Sequence, residues 1–390
     1  MSALAAVLLV RLLDESGSFL PFGALESFRA DLGLTYAQAG TVLAMVAPGA
    51  LLGGVFASAA DRHSRRAIAA GGAFGFAASL AAFAAGASFW VLAAAAFVMG
   101  TASTAMVEAA EVALVDLVGD DLRRYLARSN LLGTVGDLLG PALLAGVTAV
   151  GLSWRVAFGL GAALLALYGL ALAATPLPPP APADGETPTA RGVLLAVVRD
   201  PAVWVVGLIG LLLSVFDEPL YGFTIALLEQ ERGASASVAV LIAAAGGVAG
   251  GVVSYTVLAR RLETVADHLL LAGSAALMAV GALAAAIVPL LPVVALATFV
   301  IAVGLNLAWL GLQHRSLTLR PGQVGTTNAV LAAVELLGFW IPSAVGAVAD
   351  RAGLVPAVGA FALLAAVLVG LALADGRRSS PVGASAPEQR

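Results

Sequence analysis

Blocks of about twenty apolar residues recur along this chain between short stretches of polar punctuation, and nothing else in it restricts the fold so strongly. A helix of that length crosses the ~30 Å hydrocarbon core of a bilayer. Hydrocarbon offers backbone N–H and C=O groups no partners, so such segments satisfy them internally, as helices. Twelve blocks can be counted, at about 2–28, 36–60, 66–87, 89–114, 129–150, 154–175, 201–228, 236–258, 267–288, 292–314, 325–348 and 354–374. A soluble globule is excluded by charge. Only 11% of the 390 residues are charged and 61% are hydrophobic, against ~25% and ~45–50% in an ordinary soluble domain. The expected fold class is therefore an all-α membrane protein with twelve transmembrane helices.

Between the sixth and seventh blocks lies "TPLPPPAPADGETPTARG", Thr175 to Gly192, whose prolines and small polar residues predict an extended, mobile linker. It divides the chain into a six-helix bundle over 1–175, a linker over 176–200 and a second bundle over 201–375, leaving a polar, disordered tail over 376–390. Lysine is absent, so arginine alone sets the orientation. Fifteen arginines, among them Arg62, Arg65, Arg66, Arg260, Arg261 and Arg315, fall on the side of the termini and linker, whereas Arg29, Arg155, Arg232 and Arg351 fall on the other. That asymmetry predicts a multi-pass protein of the inner (plasma) membrane with both termini cytoplasmic. The N-terminus lacks the basic start of a signal peptide, and Arg11 and Asp14 interrupt its apolar run. Cysteine is absent, which excludes disulfides and thiolate metal sites.

The first block nonetheless contains "RLLDESGSFLP", with an arginine and two acids where the solvent is hydrocarbon. The same oddity returns in the seventh. "LLDESGSFLPFGALESF" aligns with "SVFDEPLYGFTIALLEQ", so that Asp14-Glu15 matches Asp217-Glu218 and Glu26 matches Glu229 at a constant offset of 203. Likewise "NLLGTVGDLLGPALLAGV" in block five aligns with "NAVLAAVELLGFWIPSAVGAV" in block eleven, pairing Asn130 with Asn328, Asp137 with Glu335 and Gly140 with Gly338. The halves are copies of one six-helix unit, so two pseudo-symmetric bundles are expected. Parallel repeats of this kind place a substrate site near the midplane, where the halves meet.

With these features in hand, the chain resembles the major facilitator superfamily over all twelve blocks. "ASAADRHSRRA" after block two is similar to that family's G-x-x-x-D-R-x-G-R-R loop: Asp61, Arg62, Arg65 and Arg66 match, while Ala57 and Ser64 replace its glycines. "GLSWRVAF" at Gly151 and "GAVADRAG" at Gly346 look like its turns between spans five and six and spans eleven and twelve. The arginine that proton-driven drug exporters of the family carry in span four has no counterpart in "AAAAFVMGTAST", a departure from that subclass. The resemblance implies alternating access and a gate in which Asp61 docks on the N-terminus of span eleven, near 325–328. Arg65 or Arg66 would then reach Glu111 or Asp116.

A charge at the bilayer centre costs at least ~2.5–3.5 kcal/mol, so such residues face a cavity or a partner. Arg11 stands three and four residues before Asp14 and Glu15, spacings that place it beside both on a helix. An internal ion pair that only aids insertion is one explanation of Asp14. Span seven offers Asp217 and Glu218 no nearby arginine, which favours a site. Ser16, Gly17, Ser18 and Pro21, and again Pro219 and Gly222, predict broken helices beside both acidic pairs. For Asp137 and Glu335 a gating or structural role stands beside ligand contact. Tyr221, Asn306, Trp309 and Trp340 are candidate cavity residues, with packing or an interfacial role the alternative for the tryptophans. Glu26 and Glu229 are expected at the rim, and the three histidines are too scattered for a metal site.

Acids outnumber bases among the membrane-buried candidates, which suits protons and a small cationic or polyhydroxylated solute. No ATP-binding motif, cofactor motif or nucleic-acid-binding patch occurs. The expectation is a secondary active transporter coupled to protons, needing no cofactor or metal and working as a monomer in the lipid bilayer. Two other classes share some features: a non-transporting receptor on the same scaffold, and an intramembrane aspartyl protease. Against the protease, "GTVGD" is G-x-x-G-D rather than G-x-G-D, and the acids come in repeat-related pairs.

Overall fold

The computed structural model describes residues 2–58, 64–118, 122–178, 195–258, 261–262, 264–320 and 324–379. Among the described residues, eleven helices are long and apolar enough to cross a membrane. The twelfth span is the charged opening stretch, too rich in Arg11, Asp14 and Glu15 to register by composition alone. In chain order the spans are α1 (Ala3–Gly23) with α2 (Leu25–Leu32); α3 (Tyr36–Ala44) with α4 (Val46–Ser58); α5 (Arg65–Ala85); α6 (Phe89–Val118); α7 (Leu122–Ala149); and α8 (Trp154–Ala174). The second half follows with α9 (Pro201–Val215) and α10 (Glu218–Glu231); α11 (Ala236–Val253), ending in a π-helical turn (Ser254–Leu258); α12 (Asp267–Ile287); α13 (Leu291–Leu319); α14 (Val324–Glu335) and α15 (Ile341–Ala352), joined through a 3-10 turn; and α16 (Leu354–Ser379). The chain is therefore a multi-pass, all-helical membrane protein. Its last helix runs to Ser379, beyond the expected start of the tail at 376.

Packing repeats between the halves. Span one lies on span five, two on four, three on four and on six; seven on eleven, eight on ten, nine on ten and on twelve repeat that scheme six spans later. Without a hydrophobic drive between helices in lipid, small residues set these crossings by letting backbones approach. Gly53 meets Thr101 of span four, and Gly250 meets Ala302 and Phe299 of span ten. The four glycines with positive φ, Gly33, Gly151, Gly233 and Gly353, fall into repeat-related turns after spans one, five, seven and eleven.

Helix breaks distinguish the copies. Span seven does break at the acidic pair: Phe216 and Asp217 separate α9 from α10, with Pro219 in the new first turn. Span one does not. α1 remains helical through Asp14, Glu15 and Pro21 and is interrupted only at Ala24. Ser16 returns its hydroxyl to Leu12 O at 2.6 Å, satisfying the helix locally instead of opening it.

The two halves meet differently at their two ends. We call the end holding Ser2 the terminal face and its opposite the far face. At the far face α3 lies across α15 and α2 lies against α10. Gly40 and Gly346 are where those backbones touch, Gly40 on Pro342 and Gly346 on Tyr36. Asp350 accepts the N–H groups of Tyr36 and Ala37 at 2.7 and 2.9 Å, and Thr41 shares a hydrogen bond with Ser343 at 2.7 Å. Between this closed end and the terminal face lies a cavity, with Tyr255 on its wall exposed.

Candidate functional site

A cavity of about 260 Å³ lies between the halves, walled by spans one, five, seven, eight and ten. Span one contributes Glu15 and Phe19, one turn apart; span five contributes Thr134 and Asp137; span seven contributes Asp217 and Tyr221. Gly247, Gly251 and Tyr255 recur every fourth residue down one face of span eight. Leu305, Asn306 and Trp309 complete the wall from span ten. Gly247 packs beside the Tyr221 ring and hydroxyl, and Gly251 beside the Asn306 amide. Asn306 Nδ2 donates to Ala302 O at 2.7 Å, which fixes the amide's orientation. On the far side Gly222 meets the Phe22 carbonyl and the side chains of Leu25 and Leu43, an apolar seal without water access.

The acidic pairs divide their labour as adjacent helical residues must, pointing ~100° apart. Glu15 faces the cavity. Asp14 is 6% exposed and points into span four, where Ser103 donates to it at 2.6 Å. Arg11 pairs with Glu15 at 3.2 Å and with Glu111 of span four at 3.5 Å. Glu111 is thus Arg11's partner in this conformation, which leaves Asp116 as the acid offered to Arg65 or Arg66. Arg65 does ion-pair with Asp116, while Arg66 is exposed. Asp61 and Arg62 lie outside the described residues, as do the side chains of Glu218, Asn130 and Asn328.

Asp137 and Asp217 make no hydrogen bond or ion pair among the described residues, and each is within electrostatic reach of the other and of Glu15. Their carboxylates come from opposite halves. Glu335 is placed elsewhere: at the end of α14, against Gly210 of span seven, where any larger residue would collide with its carboxylate. Trp340 is 56% exposed on the outside of span eleven and does not reach the cavity, whereas Trp309 does. Glu26 is no rim residue. It is 2% exposed and held by Arg29 at 2.6 and 2.9 Å and by the Tyr36 hydroxyl at 2.9 Å. Among the described residues no His, Cys, Asp or Glu cluster has the arrangement of a metal site.

Tyr255 and Thr134 were not among the sequence candidates. Tyr255 is a lone aromatic in the π-helical turn; its four-residue spacing from Gly251 and Gly247 is the signal that could have found it.

The family model of the Major Facilitator Superfamily matches residues 7–341, and the chain belongs to that family. A search of curated proteins finds no match. Among solved structures, a bacterial homolog of the human lysosomal transporter Spinster, in an inward-facing and unoccupied conformation, superposes with a TM-score of 0.77 at 20% identity, over 97% of this chain and 98% of that one. The nucleoside transporter NupG gives 0.78 at 14% identity over 97% and 100%. A D-xylose–proton symporter gives 0.74 at 14% over 95% and 96%. At these identities the likeness establishes the twelve-helix transporter fold.

Proposed function

We propose that the protein is a proton-coupled secondary active transporter that moves a small cationic or polyhydroxylated solute by alternating access. The observation that carries this is the placement of Glu15 and Asp137 from one half opposite Asp217 from the other, around a single cavity closed at the far face. Arg11, shared between Glu15 and Glu111, leaves the cavity net negative. Two like unit charges ~8 Å apart repel by about 2 kcal/mol at an effective dielectric of ~20. Closing the terminal face brings Asp137 toward Asp217, so an empty, fully ionised cavity resists closure. A proton or a bound solute relieves that repulsion, and only loaded protein then rocks to the other state.

The resulting protein sits in the inner (plasma) membrane as a monomer with both termini cytoplasmic, so the terminal face is the cytoplasmic one and this conformation is inward-open. The arginine asymmetry supports that orientation. The motif also argues against peptidase chemistry: Asp137 stands in G-x-x-G-D rather than G-x-G-D. Flux tests the proposal. Purified protein in proteoliposomes should accumulate or expel a solute when a pH gradient is imposed, and lose that drive when a protonophore collapses it. Flux indifferent to the gradient for every solute moved would remove the proton coupling.

A further inference from the structure

We infer that the cavity selects organic monocations, a primary ammonium or guanidinium on a flat apolar body, and that binding one expels a proton. This rests on the transporter assigned above and narrows its solute from two classes to one. Three observations converge on a cation. Asp137 and Asp217 face the cavity with no hydrogen bond or ion pair among the described residues, and Arg11, whose charge also reaches Asp137, is already held by Glu15 and Glu111. The wall shared with the acids is aromatic: Trp309 and Tyr255 line it, and Tyr255 is 51% exposed and within electrostatic reach of both Asp137 and Asp217. The third is the division of the carboxylates between the halves.

A neutral polyol could hydrogen-bond to these carboxylates but would leave their charge uncompensated. An ammonium has three donors and a guanidinium five, and neither accepts, which complements acceptor-only carboxylates. The faces of Trp309 and Tyr255 add attraction for the cation and stacking area for a flat body. One cation bridging Asp137 and Asp217 would draw the two halves together, which couples occupancy to closure. The charge balance also follows. When the empty cavity holds a proton on one of these carboxyls, an arriving monocation replaces it, and that proton leaves to water through the open terminal face. Substrate and proton therefore compete for the same oxygens, and net movement is exchange of one for the other.

Four isosteric probes test this on purified protein in nanodiscs: benzylamine, phenylguanidine, benzyl alcohol and benzoate. Binding is read by tryptophan fluorescence and by calorimetry in two buffers of different ionisation enthalpy, which counts protons released. The two cations should bind at least tenfold more tightly than the alcohol or the acid and release protons on binding. Asp137→Asn and Asp217→Asn should each weaken the cations at least tenfold and abolish the proton release, with thermal melting confirming that the variants fold. Equal binding of benzyl alcohol or benzoate, unchanged cation affinity in both variants, or binding by neither cation overturns the inference. Equilibrium binding needs no transport, so the two proposals fail separately. Vesicles that move only neutral solutes would sink the cation assignment and keep the transporter, and cation binding without flux of any solute would do the reverse.

Discussion

The Asp350 carboxylate accepts the backbone N–H of Tyr36 at 2.7 Å, so the last turn of span eleven caps the first turn of span two across the two halves. Its second oxygen takes the N–H of Ala37 at 2.9 Å. The first N–H groups of a helix have no partner of their own and carry the positive end of its dipole, so a carboxylate there is favoured. The loop after span two was expected to do the same to span eleven at the terminal face, through Asp61. Asp61 lies outside the described residues; at the far face Asp350 makes a cap of the same kind with the roles of the two spans exchanged.

Asp350→Ala should loosen the far face. Losing a capping carboxylate typically costs ~1 kcal/mol, which shifts the ratio of far-closed to far-open protein about fivefold. The chain has no cysteine, so spin labels at Ala30→Cys and Gln230→Cys report the α2–α10 separation directly. An increased population at longer distance is expected. An unchanged distance distribution would mean that Asp350 caps span two without holding the halves together.

Gly346→Val should prevent far-face closure by sterics. A side chain at Gly346 would run into the Tyr36 backbone, which cannot give way as a flexible side chain could. Transport should fall below a tenth, with the same two labels trapped at the longer distance. Gly71→Ala is the control, because nothing lies within 4 Å of the space its methyl would fill. A Gly346→Val protein that transports normally would show that spans two and eleven need not close so tightly.

Asp375→Asn should destabilise the fold without touching the cavity. Asp375 is 1% exposed and takes both Arg315 Nε and Nη2, at 2.8 and 2.9 Å, joining span ten to span twelve. Breaking one side of a buried pair typically costs ~3–5 kcal/mol, while replacing both by apolar residues is often near neutral. The melting temperature in detergent should drop for Asp375→Asn and recover in Arg315→Met/Asp375→Leu. A double variant as unstable as the single would assign the loss to packing of the carboxyl rather than to the lost ion pair.

The orientation has its own test. Single cysteines at Ser2, Ala181 and Gln389 should resist an impermeant thiol reagent in intact cells and react once the membrane is opened; Ala181 and Gln389 lie outside the described residues. Labelling of any of the three in intact cells contradicts a cytoplasmic terminal face.

Much of the architecture was legible because lipid leaves few options. Apolar block length, the Asp14-Glu15 to Asp217-Glu218 offset and the glycine turns each bear directly on span number and repeat. The division of the cavity was less so. Periodicity put Arg11 beside both Asp14 and Glu15, but nothing local announced that Ser103 and Glu111, some 90 to 100 residues away in span four, would claim Asp14 and Arg11. The break expected in span one failed for a related reason: Ser16 satisfied its own turn and Gly136 and Gly140 of span five packed against it, so tertiary contact kept the helix whole. Glu335, aligned with Asp137 by repeat, diverged because Gly210 offered its side chain a berth on span seven.

The last prediction separates coupling from binding at the cavity. Glu15, Asp137 and Asp217 line the same space, but they are not equivalent: Glu15 has Arg11 at 3.2 Å, whereas Asp137 and Asp217 make no ion pair or hydrogen bond among the described residues. The ion pair ties Glu15 to the position of Arg11; a carboxyl without such a bond is open to trade a proton for solute. Asp217→Asn, and separately Asp137→Asn, should therefore abolish transport driven by a pH gradient by tenfold or more. At least one of them should retain exchange of solute for solute, which needs no net proton movement. Glu15→Gln should behave differently, leaving Arg11 with Glu111 alone and lowering both driven transport and exchange together. Measuring gradient-driven flux and exchange side by side in proteoliposomes distinguishes the two patterns. If Asp137→Asn and Asp217→Asn both still respond fully to an imposed pH gradient, the proton is carried elsewhere, with Glu218 and Glu335 the next residues to replace.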